Sequence, residues 1–396
     1  MGKSIDVVVV GGGYAGVMAA NRLTQRDDVT VTVINPRPLF VPRLRLHQLV
    51  AGTHDAVVPY GEVLADGVRL VVDGATRIDA AGRSVTVAGG DSIGYDYLVY
   101  AVGSGSAVPR VPGAAEFSYP VATLEAAQRV RSVLHDTPLT AAVTVVGGGP
   151  TGIETAAELA ERGRAVTLVC GGVLGPYLHP RARRTGRKYL AKLGVEVVEG
   201  PGTTVAAVTT EAVELSDGRV LPSRVTLWAA GFGVPDLAGR SGLRTDADGR
   251  LLTDETLTSV DDERIVAAGD SSAPSDLPFR MSAYAAGCLG AHAADTVLSR
   301  IAGDQPKPVD LSFPAMCVSF GRGAGIFQLA HKDDTAVPVY FSGLAGKKLK
   351  EFSCQASVKH LVTEAREPGT HHWPKDGKHR PQLLRAQRDN AAAPLA

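Results

Sequence analysis

The feature that most constrains the fold is the stretch of residues 7–16, VVVVGGGYAG, near the start of the chain. Its consecutive β-branched valines favour a strand that is buried on both faces, and its glycines lead into the helical run of residues 17–23. Gly11 permits a sharp turn, Gly13 lets a pyrophosphate approach the backbone, and Gly16 lets the helix pack close to the strand. The stretch therefore predicts the strand, turn and helix of a dinucleotide-binding fold, with helix N–H groups facing the phosphates.

The same pattern occurs again as VTVVGGGPTGIETAAEL, which starts at Val143. In this copy Gly147, Gly149 and Gly152 take the places of Gly11, Gly13 and Gly16. Further apolar strands follow each copy, at residues 29–34, 76–78, 84–87 and 97–101 in the first and 166–169, 205–208, 212–215 and 224–229 in the second. Chance clustering of glycines would not repeat the flanking strands, so two whole nucleotide-binding units are predicted.

The order of these signals predicts an α/β protein with two Rossmann-like dinucleotide-binding domains, the second inserted into the first, and a C-terminal α+β domain. A proline-rich crossover near residues 109–120 ends the first segment, and a glycine exit at residues 231–235 ends the second unit. The expected domains are residues 1–110 with 240–307, residues 111–239, and residues 308–396. In the last of these, strands are expected at residues 315–320 and 325–330, and a turn at 343–350 leads into a helix at 348–362.

Charge and cysteine content exclude several classes of function. Of the 396 residues, 41 are Lys or Arg and 41 are Asp or Glu, so no global basic field exists to bind nucleic acid. Residues 347–388 carry an excess of basic side chains, which indicates either a solvated tail or contact with an anionic membrane surface. No apolar run is long enough for a membrane helix, which favours a cytoplasmic protein. The cysteines are widely separated, and neither they nor His371, His372 and His379 have the spacing of a metal site.

Several polar residues lie where a nucleotide fold places ligand contacts. Asn35 follows the second strand, at the usual position of a ribose-binding acid. Arg43 and Arg45 lie in an apolar segment, where either faces a phosphate or an electron-rich ring, or pairs with a distant carboxylate. Asp270 follows Gly269 at the end of an apolar strand, a position suited to hydrogen bonding a polyol hydroxyl.

The helix predicted at residues 281–301 is rich in small residues, and its start can lie against a ring system. Tyr284, Cys288 and His292 share one face of this helix. That face either looks onto a site or packs against a neighbouring element, and packing is the more common reason for such a stripe.

Taken together, these motifs resemble the two-dinucleotide-domain flavoproteins of the pyridine nucleotide-disulfide oxidoreductase superfamily. Within it, residues 5–303 are most similar to the type II NADH dehydrogenase and apoptosis-inducing-factor-like branch. The resemblance implies that the first unit binds FAD and the second binds NAD(P)H, with Glu154 near the nicotinamide as a catalytic residue. The cofactor-binding residues expected are Gly11, Gly13, Tyr14, Ala15, Gly16, Asn35, Arg43, Ala101, Gly103, Gly269, Asp270, Ser282 and Ala283 for FAD, and Gly147, Gly149, Gly152 and Gly231 for NAD(P)H.

The chain departs from the pattern of this superfamily in three places. Residues 41–46 contain no cysteine pair, which argues against thiol-disulfide exchange. Residues 282–288 replace the glutamine-rich quinone signature of type II NADH dehydrogenases, so the acceptor stays open. In the second unit, Cys170 occupies the position where an acidic residue usually binds the adenosine ribose. Three arginines follow it and either bind a 2′-phosphate or form a solvated helix face: Arg181, Arg183 and Arg184.

The predicted function is that of an FAD-dependent oxidoreductase in which a hydride passes from NAD(P)H to the flavin and electrons then pass to an acceptor such as a quinone. A side chain that protonates the acceptor is expected to be Tyr284 or His47. The alternatives are a ferredoxin-type reductase and an NAD(P)H-responsive redox sensor. A sulfide:quinone oxidoreductase requires a cysteine pair that the spacing does not supply. Attachment to the inner membrane face and assembly into a homodimer both stay open.

Overall fold

The computed structural model describes residues 4–392. Its N-terminal part contains a 3₁₀ turn at Arg43–Arg45 and, in chain order, β1 (Ile5–Val10), α1 (Tyr14–Leu23), β2 (Val29–Asn35), β3 (Leu39–Phe40), α2 (Leu46–Ala51), β4 (Val58–Pro59), α3 (Tyr60–Val63), β5 (Arg69–Val72), β6 (Ala75–Asp79), β7 (Ser84–Val87), β8 (Ser92–Gly94), β9 (Tyr97–Tyr100) and β10 (Gly105–Ser106).

The middle of the chain repeats this succession of strands and helices. Its elements are α4 (Ala114–Phe117), β11 (Ser118–Pro120), α5 (Leu124–His135), β12 (Val143–Val146), α6 (Pro150–Glu161), β13 (Val166–Val169), α7 (Pro180–Lys192), β14 (Glu196–Val198), β15 (Val205–Val208), β16 (Ala212–Leu215), β17 (Val220–Pro222), β18 (Val225–Trp228) and β19 (Phe232–Gly233).

The remaining part returns to the first sheet and then adds a small antiparallel sheet and long helices. Besides a 3₁₀ turn at Gly269–Ser271, its elements are α8 (Leu237–Arg240), β20 (Leu251–Thr253), β21 (Ile265–Ala267), β22 (Ser272–Pro274), α9 (Ala283–Ala302), β23 (Ala315–Phe320), β24 (Ala324–Ala330), β25 (Ala336–Ser342), α10 (Gly343–Arg366) and α11 (His379–Ala392).

Two five-stranded parallel sheets form the centre of the molecule, in the orders β21-β9-β1-β2-β5 and β11-β18-β12-β13-β14. The strand before each glycine motif, β1 or β12, is the middle strand, which explains why its valines are buried on both faces. Strand β21 completes the first sheet although it follows the second unit in the chain. The predicted α/β fold with an inserted second unit is confirmed, whereas the exact limits of the domains stay a prediction.

Each parallel sheet has a three-stranded antiparallel sheet attached to it, β6-β7-β8 in the first unit and β15-β16-β17 in the second. The first two strands of each were predicted from the sequence. The third strands, β8 and β17, were missed because each is only three residues long, too short for an alternating pattern to be visible.

The C-terminal region forms the antiparallel sheet β23-β24-β25, against which α10 packs. Strands β23 and β24 agree with the prediction, but β25 was missed because Pro338 interrupts its apolar run. The turn predicted at residues 343–350 is wrong, since α10 begins at Gly343. The glycines in this stretch serve close packing: a Cβ on Gly346 would lie 2.2 Å from the carbonyl oxygen of Gly325.

The basic C-terminal segment is more than the solvated tail that its charge suggested. Lys350 and Arg380 are both buried. Arg380 places Nη2 2.8 Å from Oε1 of Glu255, a carboxylate far away in the sequence. Such tertiary partners are what allow a charged side chain to be buried.

Helix α1 crosses α9 at close range, since a Cβ on Gly290 would lie 2.2 Å from the carbonyl oxygen of Ala15. Arg22 of α1 also pairs with Asp295 of α9 and with Glu364 of α10. These contacts fix the C-terminal helices against the first unit. Within residues 4–392 no helix has both the length and the apolar character needed to cross a bilayer.

Candidate active site

The first glycine motif forms a tight cradle at the carboxyl end of β1. Gly11 has a φ of +108°, and a Cβ there would lie 2.2 Å from the carbonyl oxygen of Ala101. A Cβ on Gly16 would lie 1.7 Å from the carbonyl oxygen of Gly11, so neither position tolerates a side chain. A Cβ on Gly13 would meet no protein atom within 4 Å. The space at Gly13, directly before α1, is where a phosphate fits.

The second motif has the same geometry. Gly147 has a φ of +132°, and its Cβ would lie 2.8 Å from the carbonyl oxygen of Ala229. A Cβ on Gly152 would lie 1.9 Å from the carbonyl oxygen of Gly147, whereas one on Gly149 would meet nothing within 4 Å. The molecule therefore has two cradles with open space at the start of a helix, as two dinucleotides require.

Asn35 supports the first cradle. Its Oδ1 accepts a hydrogen bond of 3.0 Å from the backbone N–H of Gly12, and its Nδ2 donates to the carbonyl of Arg37 at 2.8 Å. The hydroxyl of Tyr60 donates to the carbonyl of Gly12 at 2.7 Å. Asn35 thus uses both ends of its amide to shape the glycine turn. Tyr60 was not predicted, because nothing in its local sequence indicates that it reaches the motif.

Arg43 and Asp270 lie close together beside this cradle. The sequence predicted each of them as a ligand contact but did not predict that they are neighbours. The hydroxyl of Ser104 donates to Asp270 Oδ2 at 2.7 Å and accepts from Arg43 Nη1 at 3.1 Å. The guanidinium of Arg43 is 3.6 Å from the same carboxylate oxygen. Gly103, with a φ of +69°, turns the chain so that Ser104 can join the pair. Ser104 was missed, although it follows the glycine that was predicted.

The start of α9 also borders this region. A Cβ on Gly269 would lie 3.0 Å from Cβ of Ala15, so the 3₁₀ turn that carries Asp270 touches α1. Ser282 caps α9 by accepting a hydrogen bond of 3.1 Å from the N–H of Ala285. Ala283 packs in the same apolar cluster as Tyr14.

Tyr14 and Tyr284 have structural partners. The ring of Tyr14 meets Phe40 edge-on with centroids 5.1 Å apart, and burial raises the pKa of its hydroxyl to about 12. Tyr284 donates its hydroxyl to the carbonyl of Ser312 at 3.1 Å and packs against Phe313. None of the hydrogen bonds of Tyr284 joins it to Glu154 or His47.

Glu154 is the centre of a buried charged cluster. Its Oε1 accepts hydrogen bonds from Nζ of Lys350 at 2.8 Å and from the backbone N–H of Ser319 at 2.9 Å. Its Oε2 lies 3.5 Å from Nδ1 of His47. The cluster joins α2 of the first unit, α6 of the second, and β23 and α10 of the C-terminal region. The structure therefore brings together two of the three residues predicted to be catalytic, Glu154 and His47.

The charges in this cluster follow from burial and from its ion pair. Burial alone acts to raise the pKa of Glu154, but Lys350 and His47 hold it below its usual value. Burial acts to lower the pKa of Lys350, and the Glu154 carboxylate outweighs it. Burial lowers the pKa of His47 to about 4, so His47 is neutral at pH 7. Its buried Nε2 has no hydrogen-bond partner within the described part of the chain.

Glu158 lies one helical turn after Glu154 on α6. Its Oε2 accepts a hydrogen bond of 3.2 Å from the hydroxyl of Thr53, and its Oε1 is 3.8 Å from Nη1 of Arg322. Burial raises the pKa of Glu158 to about 7. Neither Glu158 nor Lys350 was predicted, because a lysine in a basic stretch and a glutamate in a helix carry no local signal of burial.

Gly231 lies at the junction between the two units, where β19 pairs with β10. It has a φ of +81°, and its Cβ would lie 3.5 Å from Cβ of Ala107. The chain segments that lead into and out of the second unit are thus held together beside the second cradle.

Two glycine cradles, the Arg43–Ser104–Asp270 group beside the first, and the buried Glu154–Lys350 pair between the second unit and the C-terminal region are typical of an oxidoreductase that binds two dinucleotides. The chain belongs to the pyridine nucleotide-disulphide oxidoreductase family, whose model matches residues 5–287. As a member it is an oxidoreductase that uses FAD and NAD(P)H, which confirms the predicted enzyme class and cofactors.

Similar proteins include named relatives and solved structures. An NADH dehydrogenase-like protein of Mycobacterium tuberculosis is 36% identical over 294 residues, which cover 67% of this chain and 72% of that protein. The demethylphylloquinone reductase of Synechocystis is 28% identical over 290 residues, covering 67% and 71%. The structure of NDH2 from Plasmodium falciparum in complex with NADH has the same fold, with a TM-score of 0.76 at 16% identity over 94% of this chain and 99% of that one.

Proposed function

We propose that the enzyme passes reducing equivalents from NAD(P)H through FAD to a quinone. FAD, when bound, would supply the hydride-accepting and electron-releasing chemistry, and the chain would supply position and charge. The first cradle, at Gly13, would hold the pyrophosphate of FAD against the start of α1. Asp270, kept in place by Ser104 and Arg43, would accept hydrogen bonds from the polyol chain. The second cradle, at Gly149, would hold the pyrophosphate of NAD(P)H.

The observation that carries the choice of acceptor is the buried cluster around Glu154. Reduction of a quinone to a quinol takes up two protons as well as two electrons, whereas a ferredoxin takes up an electron alone. Lys350 and Glu154 form a buried ion pair, and the buried Nε2 of neutral His47 has no hydrogen-bond partner among the described residues. Glu158, with a pKa of about 7, exchanges protons near neutral pH. A site for electron transfer to ferredoxin needs none of these groups. The similarity to a demethylphylloquinone reductase supports the same choice.

The surface of α10 is consistent with an acceptor that is dissolved in a membrane. Leu344 and Phe352 are each 68% exposed, and Phe341 of the adjoining β25 is 47% exposed. Lys348 lies between the two exposed apolar residues on the same helix face. Apolar side chains interspersed with lysine suit the surface of an anionic membrane, where quinones dissolve. We extend the proposal to peripheral binding of a membrane through this face.

The test is anaerobic reduction followed by reoxidation. The purified yellow protein is reduced with NADH or NADPH, and then mixed with a water-soluble quinone or with ferredoxin while flavin absorbance is followed. Rapid bleaching and fast recovery with the quinone are expected. Protein without flavin, or recovery with ferredoxin and not with quinone, refutes the proposal.

The role of Glu154 is tested with Glu154→Gln, which keeps an oxygen that can accept from Ser319 but removes the charge. Reoxidation by quinone is expected to slow at least about tenfold. Reoxidation by ferricyanide, which takes one electron and no proton, should stay close to that of the wild type. The matched control is Glu161→Gln, at an exposed position near the end of the same helix.

A further inference from the structure

The two nucleotide sites differ at the position that usually recognises an adenosine ribose. Gly11 N–H donates to the carbonyl of Ile34 at 2.9 Å, and Gly147 N–H donates to that of Val169 at 2.8 Å. The residues that follow these acceptors, Asn35 and Cys170, are therefore equivalent. Burial raises the pKa of Cys170 to about 12, with Glu199 adding to the rise and Arg187 opposing it. The thiol is neutral, so this position carries no charge in the second site.

A carboxylate reaches the second site from the next strand instead. Cys170 N–H donates to the carbonyl of Val198 at 2.8 Å, which places Glu199 beside Cys170 at the end of β14. Glu199 Oε2 accepts a hydrogen bond of 3.0 Å from the N–H of Leu174. In the first sheet the equivalent position is Val72, which pairs with Asn35. The carboxylate is thus a specific feature of the second site.

The loop that Glu199 supports is part of the second cradle. Gly175 N–H donates to the carbonyl of Gly148 at 2.8 Å, so residues 170–175 are tied to the glycine motif. A Cβ on Gly148 would lie 2.9 Å from Cβ of Cys170. A dinucleotide whose pyrophosphate lies at Gly149 extends its adenosine over this loop. Groups at the edge of the loop therefore meet the ribose.

One basic residue of α7 is bound to this carboxylate. Arg187 forms an ion pair with Glu199 Oε1, and Arg187 is 43% exposed against 20% for Glu199. Arg183, for which the sequence left open a phosphate contact or a solvated helix face, donates its Nε to the carbonyl of Leu178 at 3.0 Å. Glu199 and Arg187 are thus the charged groups that act on Cys170, and Arg183 adds a weaker positive field at Glu199.

We propose that the Glu199–Arg187 pair makes the enzyme select NADH over NADPH. The inference rests on the proposed binding of NAD(P)H by the second unit. Ribose hydroxyls donate hydrogen bonds to a carboxylate, whereas the 2′-phosphate of NADPH adds negative charge beside it. Arg187 cannot neutralise that phosphate fully while it is paired with Glu199. The neutral Cys170 therefore does not leave the second ribose position without an acid, because Glu199 supplies one from the end of β14.

The test compares both nucleotides in three variants. For Glu199→Gln, which keeps an acceptor for Leu174 N–H and frees Arg187, we expect the ratio of kcat/KM for NADH to that for NADPH to fall at least tenfold. For Arg187→Gln we expect the ratio to rise. The matched control is Glu196→Gln, a change of the same kind on the same strand, which should leave the ratio within twofold. A wild type that prefers NADPH, or Glu199→Gln with an unchanged ratio, overturns the proposal.

A binding measurement separates this inference from the proposed function. Calorimetric titration with 5′-AMP and with adenosine 2′,5′-bisphosphate reports the ribose site without any redox reaction. Preference of the wild type for 5′-AMP, reversed or abolished in Glu199→Gln, supports the inference even if quinone is not the acceptor. Equal binding of both compounds by the wild type overturns it, even if the flavin is reduced by NADH.

Discussion

At the scale of single residues, the motif glycines differ in what surrounds their missing side chains. Gly16 and Gly152 face carbonyl oxygens at distances that no Cβ can occupy. Gly13 and Gly149 face open space, and both have backbone angles that alanine adopts, with φ of −81° and −80°. The fold therefore requires glycine at the first pair, whereas the second pair leaves open space of the kind that a bound phosphate would occupy.

Gly149→Ala should leave flavin content and thermal midpoint unchanged, because its Cβ meets no protein atom. The methyl group occupies the space for a phosphate, so the Kd for NADH should rise at least tenfold, or about 1.4 kcal/mol. A fluorescence titration with NADH measures this Kd. Gly152→Ala is the contrasting variant and should lower the thermal midpoint. Unaltered NADH binding by Gly149→Ala would show that the second cradle does not hold the nucleotide.

Glu158 should make stability depend on pH. Its pKa is raised from 4.5 to about 7, so between these values the folded state binds more protons than the unfolded state. The free energy of unfolding contributed by this residue therefore falls as pH rises through that window. Relative to the wild type, the free energy of unfolding of Glu158→Gln should rise by about 3 kcal/mol across this pH window, since one pKa unit corresponds to about 1.4 kcal/mol. Urea unfolding at several pH values measures the gain. The control Glu116→Gln, at an exposed position, should show no pH-dependent gain in stability. If the difference in unfolding free energy between Glu158→Gln and the wild type is the same at every pH, Glu158 does not have the raised pKa.

At the scale of elements, α10 presents two different faces. One face contains the buried Lys350, Cys354 and Leu361, which pack against the rest of the molecule. The opposite face exposes Leu344 and Phe352. A helix of this kind completes the site on one side and offers an attachment surface on the other.

The double variant Leu344→Ser/Phe352→Ser should bind anionic vesicles with an affinity at least about fivefold lower than that of the wild type, because it lacks the apolar residues that would enter the lipid interface. Sedimentation with vesicles measures the bound fraction, and added salt should weaken binding by the wild type. Leu383→Ser, on α11, is the control, since Leu383 is also exposed. Failure of the wild type to bind would exclude membrane attachment through α10.

At the scale of the whole molecule, ion pairs between distant segments hold the two units and the C-terminal region together. Lys350 pairs with Glu154, and the next residue of α10, Glu351, pairs with Arg45 at 2.6 Å. One helix is thereby attached to both units. Buried pairs of this kind contribute specificity, and loss of one partner leaves an uncompensated charge.

Lys350→Met should therefore destabilise the protein by about 3 kcal/mol, because Glu154 keeps a buried charge without its partner. Adding Glu154→Gln to this variant should recover part of the loss, since no buried charge then remains. Urea unfolding of the two single variants and the double variant measures the coupling. Simple additivity of the single effects would mean that the pair contributes nothing to the assembly.

Much of the fold was predictable because its signals are local. The glycine motifs, the β-branched strands β1 and β12, and the helix α9 all carry patterns within a few residues. Missed strands such as β8, β17 and β25 are short or contain proline, and each pairs with a neighbouring strand that offers hydrogen bonds. Strand pairing of this kind cannot be predicted from the sequence of a single segment, because it depends on the partner strand.

The candidate site was predictable only in part, for a related reason. Glu154 follows the second glycine motif, and His47 lies in the apolar segment beside the first, so both had a sequence context. Lys350, Glu158 and Ser104 did not, since their importance comes from the residues that face them. The role of Glu199 depends likewise on which strand lies next to β13.

The sequence by itself determined the two nucleotide-binding units and their order, because a turn that admits only glycine and a strand buried on both faces are properties of adjacent residues. The tertiary structure alone decided which charged groups meet: Glu154 with Lys350, Asp270 with Arg43, and Glu199 with Arg187. The physical reason is that the energy of a charge depends on burial and on partners within a few ångströms. Folding sets both by bringing together residues that are far apart in the chain.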